Sequence, residues 1–138
     1  MQIGIDVGAT KIESVVLEDN GQESHRSRTS CPKDYISIIS TIKEIHDKLQ
    51  KKFDRELPIG VCHPGVHSPQ TGLVKNAPNC FWLEKKPFQS DLRKALAREV
   101  FCENDANCFA LAVAIDGSGI HYQIVYGIIL GSGAGGGL

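Results

Sequence analysis

Residues 100–115, Val-Phe-Cys-Glu-Asn-Asp-Ala-Asn-Cys-Phe-Ala-Leu-Ala-Val-Ala-Ile, limit the possible folds more than any other stretch. Residues 100–103 read as a short buried strand, apolar and β-branched at its start. Residues 106–115 are an Ala-rich apolar run that favours helix, and the missing polar face predicts a helix covered all round. Between the two lie Glu103, Asn104, Asp105 and Asn107. Four polar side chains between buried elements need partners, since each one left unpaired costs about 1–3 kcal/mol. Two readings of them stand side by side. Asp105 can be a helix N-cap, accepting N–H bonds from the first turn. Alternatively, Asn104 and Asp105 sit at the carboxyl end of a strand in an open α/β sheet, where ligands bind.

The remaining chain supplies such a sheet. Residues 1–7 form a first strand that turns tightly at Gly8, and residues 12–17 a second, closed by Asp19-Asn20-Gly21, a hairpin signal. Residues 22–30 are polar, carry Arg26 and Arg28, and read as an outer strand. Pro32 breaks the sheet, and Asp34 can cap a helix reaching about Lys52. Tyr35, Ile38, Ile39, Ile42, Ile45 and Leu49 repeat at helical spacing on it. His46, Lys48, Lys51 and Lys52 suit its C-terminal half, where positive charge is favoured. Residues 57–62 are a continuous apolar strand, hence central and parallel to the first. His63-Pro64-Gly65 opens a loop to Trp82, and a structureless loop of that length is usually functional. Residues 88–98 read as a short helix with Leu92 and Leu96 inward. Gly117-Ser118-Gly119 breaks the chain before a last apolar strand over 121–130, which runs into glycines.

With 138 residues there is chain for one core. A net charge of −1 offers no basic footprint for nucleic acid or for an acidic membrane surface. No apolar run is long enough to span a bilayer, and the N-terminus lacks a signal pattern, so the expected location is cytoplasmic. Cys31, Cys62, Cys80, Cys102 and Cys108 form no C-x-x-C pair, and the odd count argues against a disulfide framework. Those on apolar elements, Cys62, Cys102 and Cys108, read as buried reduced thiols.

Two glycine-bearing turns can carry phosphate. In Asp6-Val7-Gly8-Ala9-Thr10-Lys11 the glycine lets backbone N–H groups approach an anion, while Thr10 and Lys11 add a hydroxyl and a cation. Asp6 can hold magnesium through water. A tight turn with a solvated lysine is the alternative. The run 131–137 can be a second phosphate cradle or a flexible segment; directly after a buried strand, the cradle is favoured. His63, His67, Cys62 and Cys80 do not match a zinc pattern, so no zinc site is expected here.

Asp6-Val-Gly-Ala-Thr-Lys11, Pro64-Gly65, Val74-Lys-Asn-Ala-Pro-Asn79, Glu103-Asn-Asp-Ala-Asn107 and Leu130-Gly-Ser-Gly-Ala-Gly-Gly-Gly137 occur in this order. Together they resemble the first half of a sugar kinase of the ROK family (repressor, open reading frame, kinase). Val74 to Asn79, followed by Trp82 and Pro87-Phe88, is most similar to its bacterial fructokinase and mannokinase branch. The resemblance implies an α/β lobe of the actin, hexokinase and Hsp70 type, with a ribonuclease H-like β-β-β-α-β-α-β-α core over 1–118. It makes 119–138 the first strand and glycine loop of a second lobe.

It further implies ATP and magnesium as cofactors and a hexose, fructose- or mannose-like, as substrate. Asp105 becomes the catalytic base at the attacking sugar hydroxyl. Asn104 and Asn79 bind sugar hydroxyls, with Asn76, Gly65 and Glu103 nearby. Asp6, Gly8, Ala9, Thr10 and Lys11 join Gly131, Ser132 and Gly133 around the phosphates, with Asp6 the indirect magnesium ligand. Ala9 stands where glycine is common, and Cys62-His63 replaces small or apolar residues, which puts an imidazole near the pocket. The chain reaches about half the family's length, so the further sugar ligands, the zinc motif and the adenine pocket are expected outside it. The chain alone is expected to be inactive, and its apolar strand 121–130 to pair in a homodimer. A non-catalytic sugar-binding or regulatory module is the rival reading, although the chain opens directly on a strand rather than on a helix-turn-helix.

Overall fold

The structure, a computed structural model, describes residues 1–130 and 134–138. Its first three strands, β1 (Gln2–Val7), β2 (Lys11–Leu17) and β3 (Glu23–Ser30), are joined by hairpins as the sequence predicts. Helix α1 (Tyr35–Phe53) follows, and Asp34 caps it by accepting the Ser37 N–H at 2.9 Å. Strand β4 (Ile59–His63) then runs parallel to β1, and β7 (Phe101–Asn104) parallel to β4. The resulting sheet has the order β3-β2-β1-β4-β7.

Alternation along β1 decides its two faces: Ile3, Ile5 and Val7 are buried, while Gln2 and Asp6 are open. The buried row joins Ile38, Ile42 and Leu49 of α1 in one core cluster. Phe88, Leu92 and Leu96 of α2 (Phe88–Leu96) complete it. Burying a side chain of this size fully is worth roughly 1.5–3 kcal/mol. The core therefore holds β1 and β4 firmly at the ends where they present polar residues.

Five expectations need correction, that of the last helix furthest. The loop 63–82 is not structureless: β5 (Val66–His67) pairs with β6 (Val74–Lys75), and a 3-10 helix spans Pro78–Leu83. Two-residue strands are too short to leave a periodic signal. Strand β7 is an edge strand, not a buried one, with Phe101 67% exposed. The expected strand over 121–130 shrinks to β8 (Gly127–Leu130), paired with β9 (Ala134–Gly137). And Cys62, Cys102 and Cys108 are half-buried, while Cys31 and Cys80 are buried; all five are free thiols.

Helix α3 (Asp105–Asp116) departs furthest from its reading. It buries only Ala106 and Ala110, and Phe109, Leu111 and Ile115 are exposed. The reason lies in what covers it. A Cβ on Gly137 would stand 2.5 Å from the Ala106 carbonyl oxygen, and one on Gly127 3.1 Å from the Ala110 Cα. Bare glycine backbone thus lies against the alanine stripe and leaves the larger side chains outside. No described helix is long and apolar enough to cross a membrane.

Candidate functional site

Three parallel strands end side by side. In the ladders Asp6 of β1 lies opposite Cys62 of β4, and His63 of β4 opposite Asn104 of β7. The turns that leave these strands, 6–11, 63–65 and 104–105, are thus brought to one end of the sheet, the carboxyl end at which open α/β sheets bind ligands.

Asn104 is the hub. It is the N-cap of α3, its Oδ1 accepting the N–H of Ala106 at 3.0 Å and of Asn107 at 3.2 Å. Its Nδ2 donates to the Gly65 carbonyl at 2.8 Å and to Asp105 Oδ1 at 3.1 Å. These four bonds use its whole hydrogen-bonding capacity, so a sugar hydroxyl at Asn104 has to share or displace one of them. The capping role read for Asp105 belongs to Asn104. Asp105 takes up the Ala106 N–H at 2.9 Å through Oδ1 alone. Among the described residues nothing bonds its Oδ2. Glu103 turns back to accept the Asn104 N–H at 2.7 Å and the Asn107 amide at 3.1 Å, which braces the same corner.

Gly65 is required by shape. Its φ is +82°, and a Cβ would come 2.6 Å from the Lys75 carbonyl oxygen and 3.0 Å from the Ala77 Cβ. The β5–β6 hairpin therefore packs directly on the residue that orients Asn104. Asn76, with φ 60°, and Asn79 are both exposed beyond it. Glu84 shapes that corner by accepting the N–H of Asn76 at 3.3 Å and of Ala77 at 2.9 Å. No sequence signal marks Glu84, since its partners are backbone groups. Asp105 reaches this region electrostatically: the thiol of Cys80, beside Asn79, is pushed up to about 11 by burial, with Cys31 and the Asp105 charge adding.

In the turn of Asp6 to Lys11, the Gly8 N–H donates to the Lys11 carbonyl at 2.9 Å. The Gly8 N–H thus closes the turn itself. The N–H groups of Ala9 and Thr10 meet no acceptor among the described residues, and Thr10 is exposed; the Lys11 ammonium leans on Glu13 at 3.9 Å. Glu13 is also held by Arg26 and by Arg28 at 2.7 Å, and these guanidinium bonds keep its carboxyl below the usual range. Burial raises the Asp6 carboxyl above its ordinary value, and the negative charges of Asp105 and Glu13 add to the shift. The Cys62 thiol opposes it, donating to Asp6 Oδ1 at 3.4 Å. A carboxylate at the rim of the site that carries this burden, with oxygen donors alone, fits a hard divalent cation that keeps its water.

His63 is fully buried, edge-on to the Phe88 ring at 5.3 Å and to His67 at 4.8 Å. Burial holds both imidazoles below their ordinary pKa. His63 Nδ1 lies 2.9 Å from the Pro64 carbonyl, which can only accept, so His63 carries its proton there. Its Nε2, 3.4 Å from His67 Nδ1, is then the acceptor. The imidazole expected near the pocket is a structural support of the 63–67 turn. The expected phosphate residues Gly131, Ser132 and Gly133 lie outside the described residues. Among those described, no three His, Cys, Asp or Glu side chains converge as a metal cage.

The sequence model of the ROK family matches residues 2–138. N-acetyl-D-glucosamine kinase of Pasteurella multocida (strain Pm70) is 40% identical over 139 residues, covering 100% of this chain and 45% of the relative. Its namesake from Haemophilus influenzae (strain 86-028NP) is 40% identical over 138 residues, with 99% and 45% covered. Among solved structures, a ROK family glucokinase from Streptomyces griseus in complex with glucose and AMPPNP superposes with a TM-score of 0.86 at 26% identity. That match covers 98% of this chain and 43% of the glucokinase. The ROK hexokinase from Thermus thermophilus gives 0.82 at 26% identity, with 98% and 45% covered. The chain spans a little under half the length of these relatives.

Proposed function

The chain belongs to the ROK family and has the actin and hexokinase type of fold; from that footing we propose that it is the N-terminal half of an ATP-dependent sugar kinase and carries the catalytic base, Asp105. One observation supports this most: a carboxylate whose Oδ2 no described residue bonds, at the carboxyl end of β7, oriented through Asn104 by the Gly65 carbonyl. Phosphoryl transfer needs positioning and charge neutralisation more than covalent help. Asp105 Oδ2 accepts the hydrogen of the attacking sugar hydroxyl and takes its proton late, as a general base. Asn104 fixes the rotamer of that carboxylate. Asn79, Asn76 and Glu103 face the sugar from the neighbouring turns.

The nucleotide falls to the other side of the site. Ala9, Thr10 and Lys11 supply donors and a cation to its phosphates, and Gly131, Ser132 and Gly133 are assigned to them by the family resemblance. Asp6 would hold magnesium through water, and that ion, when bound, neutralises charge on the transferring phosphoryl group. Residues 119–138 open the second lobe.

For the sugar, the 40%-identical relatives favour a 2-acetamido hexose over the fructose or mannose suggested by Val74 to Asn79. The test joins this chain to the C-terminal half of an N-acetylglucosamine kinase relative and follows ATP-dependent phosphorylation. N-acetylglucosamine should be turned over faster than fructose. Preference for fructose would restore the fructokinase branch. A folded hybrid that binds sugar without transferring phosphate would identify a sensor module instead.

A further inference from the structure

We propose that Glu84 is a positioning residue for the sugar: its carboxylate clamps the backbone at Asn76 and Ala77 and so sets where Asn76 and Asn79 stand, a role that rests on the sugar-kinase reading. Oε1 accepts the N–H of Asn76 at 3.3 Å, and Oε2 the N–H of Ala77 at 2.9 Å. Consecutive backbone N–H groups that converge in this way make a concave seat for an anion. Here the anion is a side chain of the same loop, and hydrogen bonds to an ionised acceptor are roughly twice as strong as neutral ones. Lys85 and Lys86 follow Glu84 directly, yet among the described residues neither forms an ion pair with it. The backbone is what the carboxylate holds.

Ala77 is the peg through which the clamp acts. It is fully buried and stands between the exposed Asn76 and the exposed Pro78-Asn79. Its N–H goes to Glu84, and its carbonyl accepts the Cys80 N–H at 3.0 Å. Its Cβ lies 3.0 Å from the place a Cβ on Gly65 would take. Gly65 in turn accepts the Asn104 amide, and the same amide bonds Asp105. One buried residue therefore separates the two asparagines and leans on the turn that orients the base.

The foot of the loop is closed without Glu84. The Lys85 N–H donates to the Val74 carbonyl at 2.7 Å, and the Val74 N–H to the Lys86 carbonyl at 2.9 Å. Val74, Leu83 and Phe88 belong to the core cluster on either side of that closure. Losing the carboxylate thus leaves the loop anchored and releases its crest. The buried Ala77 N–H then has no acceptor in place, and an unpaired buried N–H drives the backbone around it to rearrange. Asn76 and Asn79 move with that backbone.

The test compares Glu84→Ala and Glu84→Gln with the parent. In the purified chain, hydrogen exchange at the Asn76 and Ala77 amides should quicken about tenfold or more in Glu84→Ala, while the amides of β1 stay protected. Glu84→Gln keeps one acceptor oxygen and should fall between. Each chain is then joined to the same C-terminal half of an N-acetylglucosamine kinase relative. Glu84→Ala should raise the KM for N-acetylglucosamine about tenfold, the weight of roughly one hydrogen bond. The KM for ATP should not move, kcat should stay within about threefold, and Glu84→Gln should recover part of the sugar KM. A carboxylate that only stabilises the fold would lower the unfolding midpoint and leave the sugar KM alone; that result overturns the proposal, as does unchanged exchange at Asn76 and Ala77. A parent hybrid that transfers no phosphate counts against the kinase reading instead. Calorimetry with N-acetylglucosamine then decides for Glu84: a tenfold weaker affinity in Glu84→Ala supports the clamp, and equal affinity, or no binding by the parent, overturns it.

Discussion

The body of the chain, up to Val100, and the arm after it, α3 with the β8–β9 hairpin, are both rich in apolar residues and meet opposite fates. Every member of the core cluster lies between Ile3 and Val100. In the arm, Phe109, Leu111, Ile115, Tyr122, Ile124 and Tyr126 are exposed. The body is built from amphipathic elements, whose pattern states both that a face must be covered and which face it is. An apolar helix without a polar side states only the demand for cover. The candidate site lies on the seam: Asp6 and Gly65 belong to the body, Asp105 to the arm.

Turnover should break along that seam with the largest effect. Holding two reactants in line is worth roughly 7–11 kcal/mol in favourable cases, and the chain by itself should phosphorylate no sugar above background. In a protein that carries both halves, Asp105→Asn should lower kcat about 10²–10⁴-fold with little change in sugar affinity, because the amide cannot take the proton. A coupled assay of the chain alone, and kcat against KM for the variant, check the two outcomes. A variant within about threefold of its parent, roughly 0.6 kcal/mol, would reduce Asp105 to part of the helix start.

Stability should divide the same way. Phe88→Ala, in the fully buried core, should cost about 3–5 kcal/mol, whereas Ile124→Ser, at a side chain 77% exposed, should stay within about 0.5 kcal/mol of the parent. Urea unfolding of both variants measures the contrast. An Ile124→Ser loss close to that of Phe88→Ala would mean that the arm is covered in solution.

What the sequence disclosed follows that division. Hairpin signals at Gly8 and Asn20-Gly21, the Asp34 cap and the helical spacing of Ile38, Ile42 and Leu49 all report local physics, and the sheet formed as they require. Asn104 and Asp105 at a strand end were legible for the same reason. The β5–β6 hairpin was not, because its pairing is set by Gly65 and Lys75 meeting across the fold. Nor was Glu84, whose partners are backbone N–H groups eight and seven residues away. That Asn104, not Asp105, caps α3 turned on one residue of register.

A smaller effect concerns cover for the arm. From Ala106 to Leu138 the sequence holds one acidic residue, Asp116, and no lysine or arginine. Little charge opposes the meeting of two such surfaces, and two-fold dimers are the commonest closed assembly. Sedimentation should therefore show self-association that rises with concentration, and Ile124→Glu with Ile128→Glu should abolish it. A monomer whose amides over 122–130 exchange freely would leave the arm uncovered instead.

The smallest effect tests whether the seam is closed in solution. Burial raises the Asp6 carboxyl, and Asp105 across the seam raises it further. A folded pKa above the unfolded one gives stability that is present in acid and lost as pH rises through the folded value. At neutral pH the ionised Asp6 is therefore a small burden, kept small by solvent screening. Asp6→Asn should make the chain more stable at pH 7 by about 0.5 kcal/mol or less, and the gain should close as Asp6 protonates toward pH 4 or below. Magnesium should narrow the gap at pH 7 by stabilising the parent alone. The same substitution in an Asp105→Asn background should gain less, because one of the repelling charges is already gone. Urea midpoints of the four chains, at pH 7 and in acid, measure the coupling. An equal gain in both backgrounds would mean that the Asp105 charge does not reach Asp6, and that α3 stands away from the body in solution.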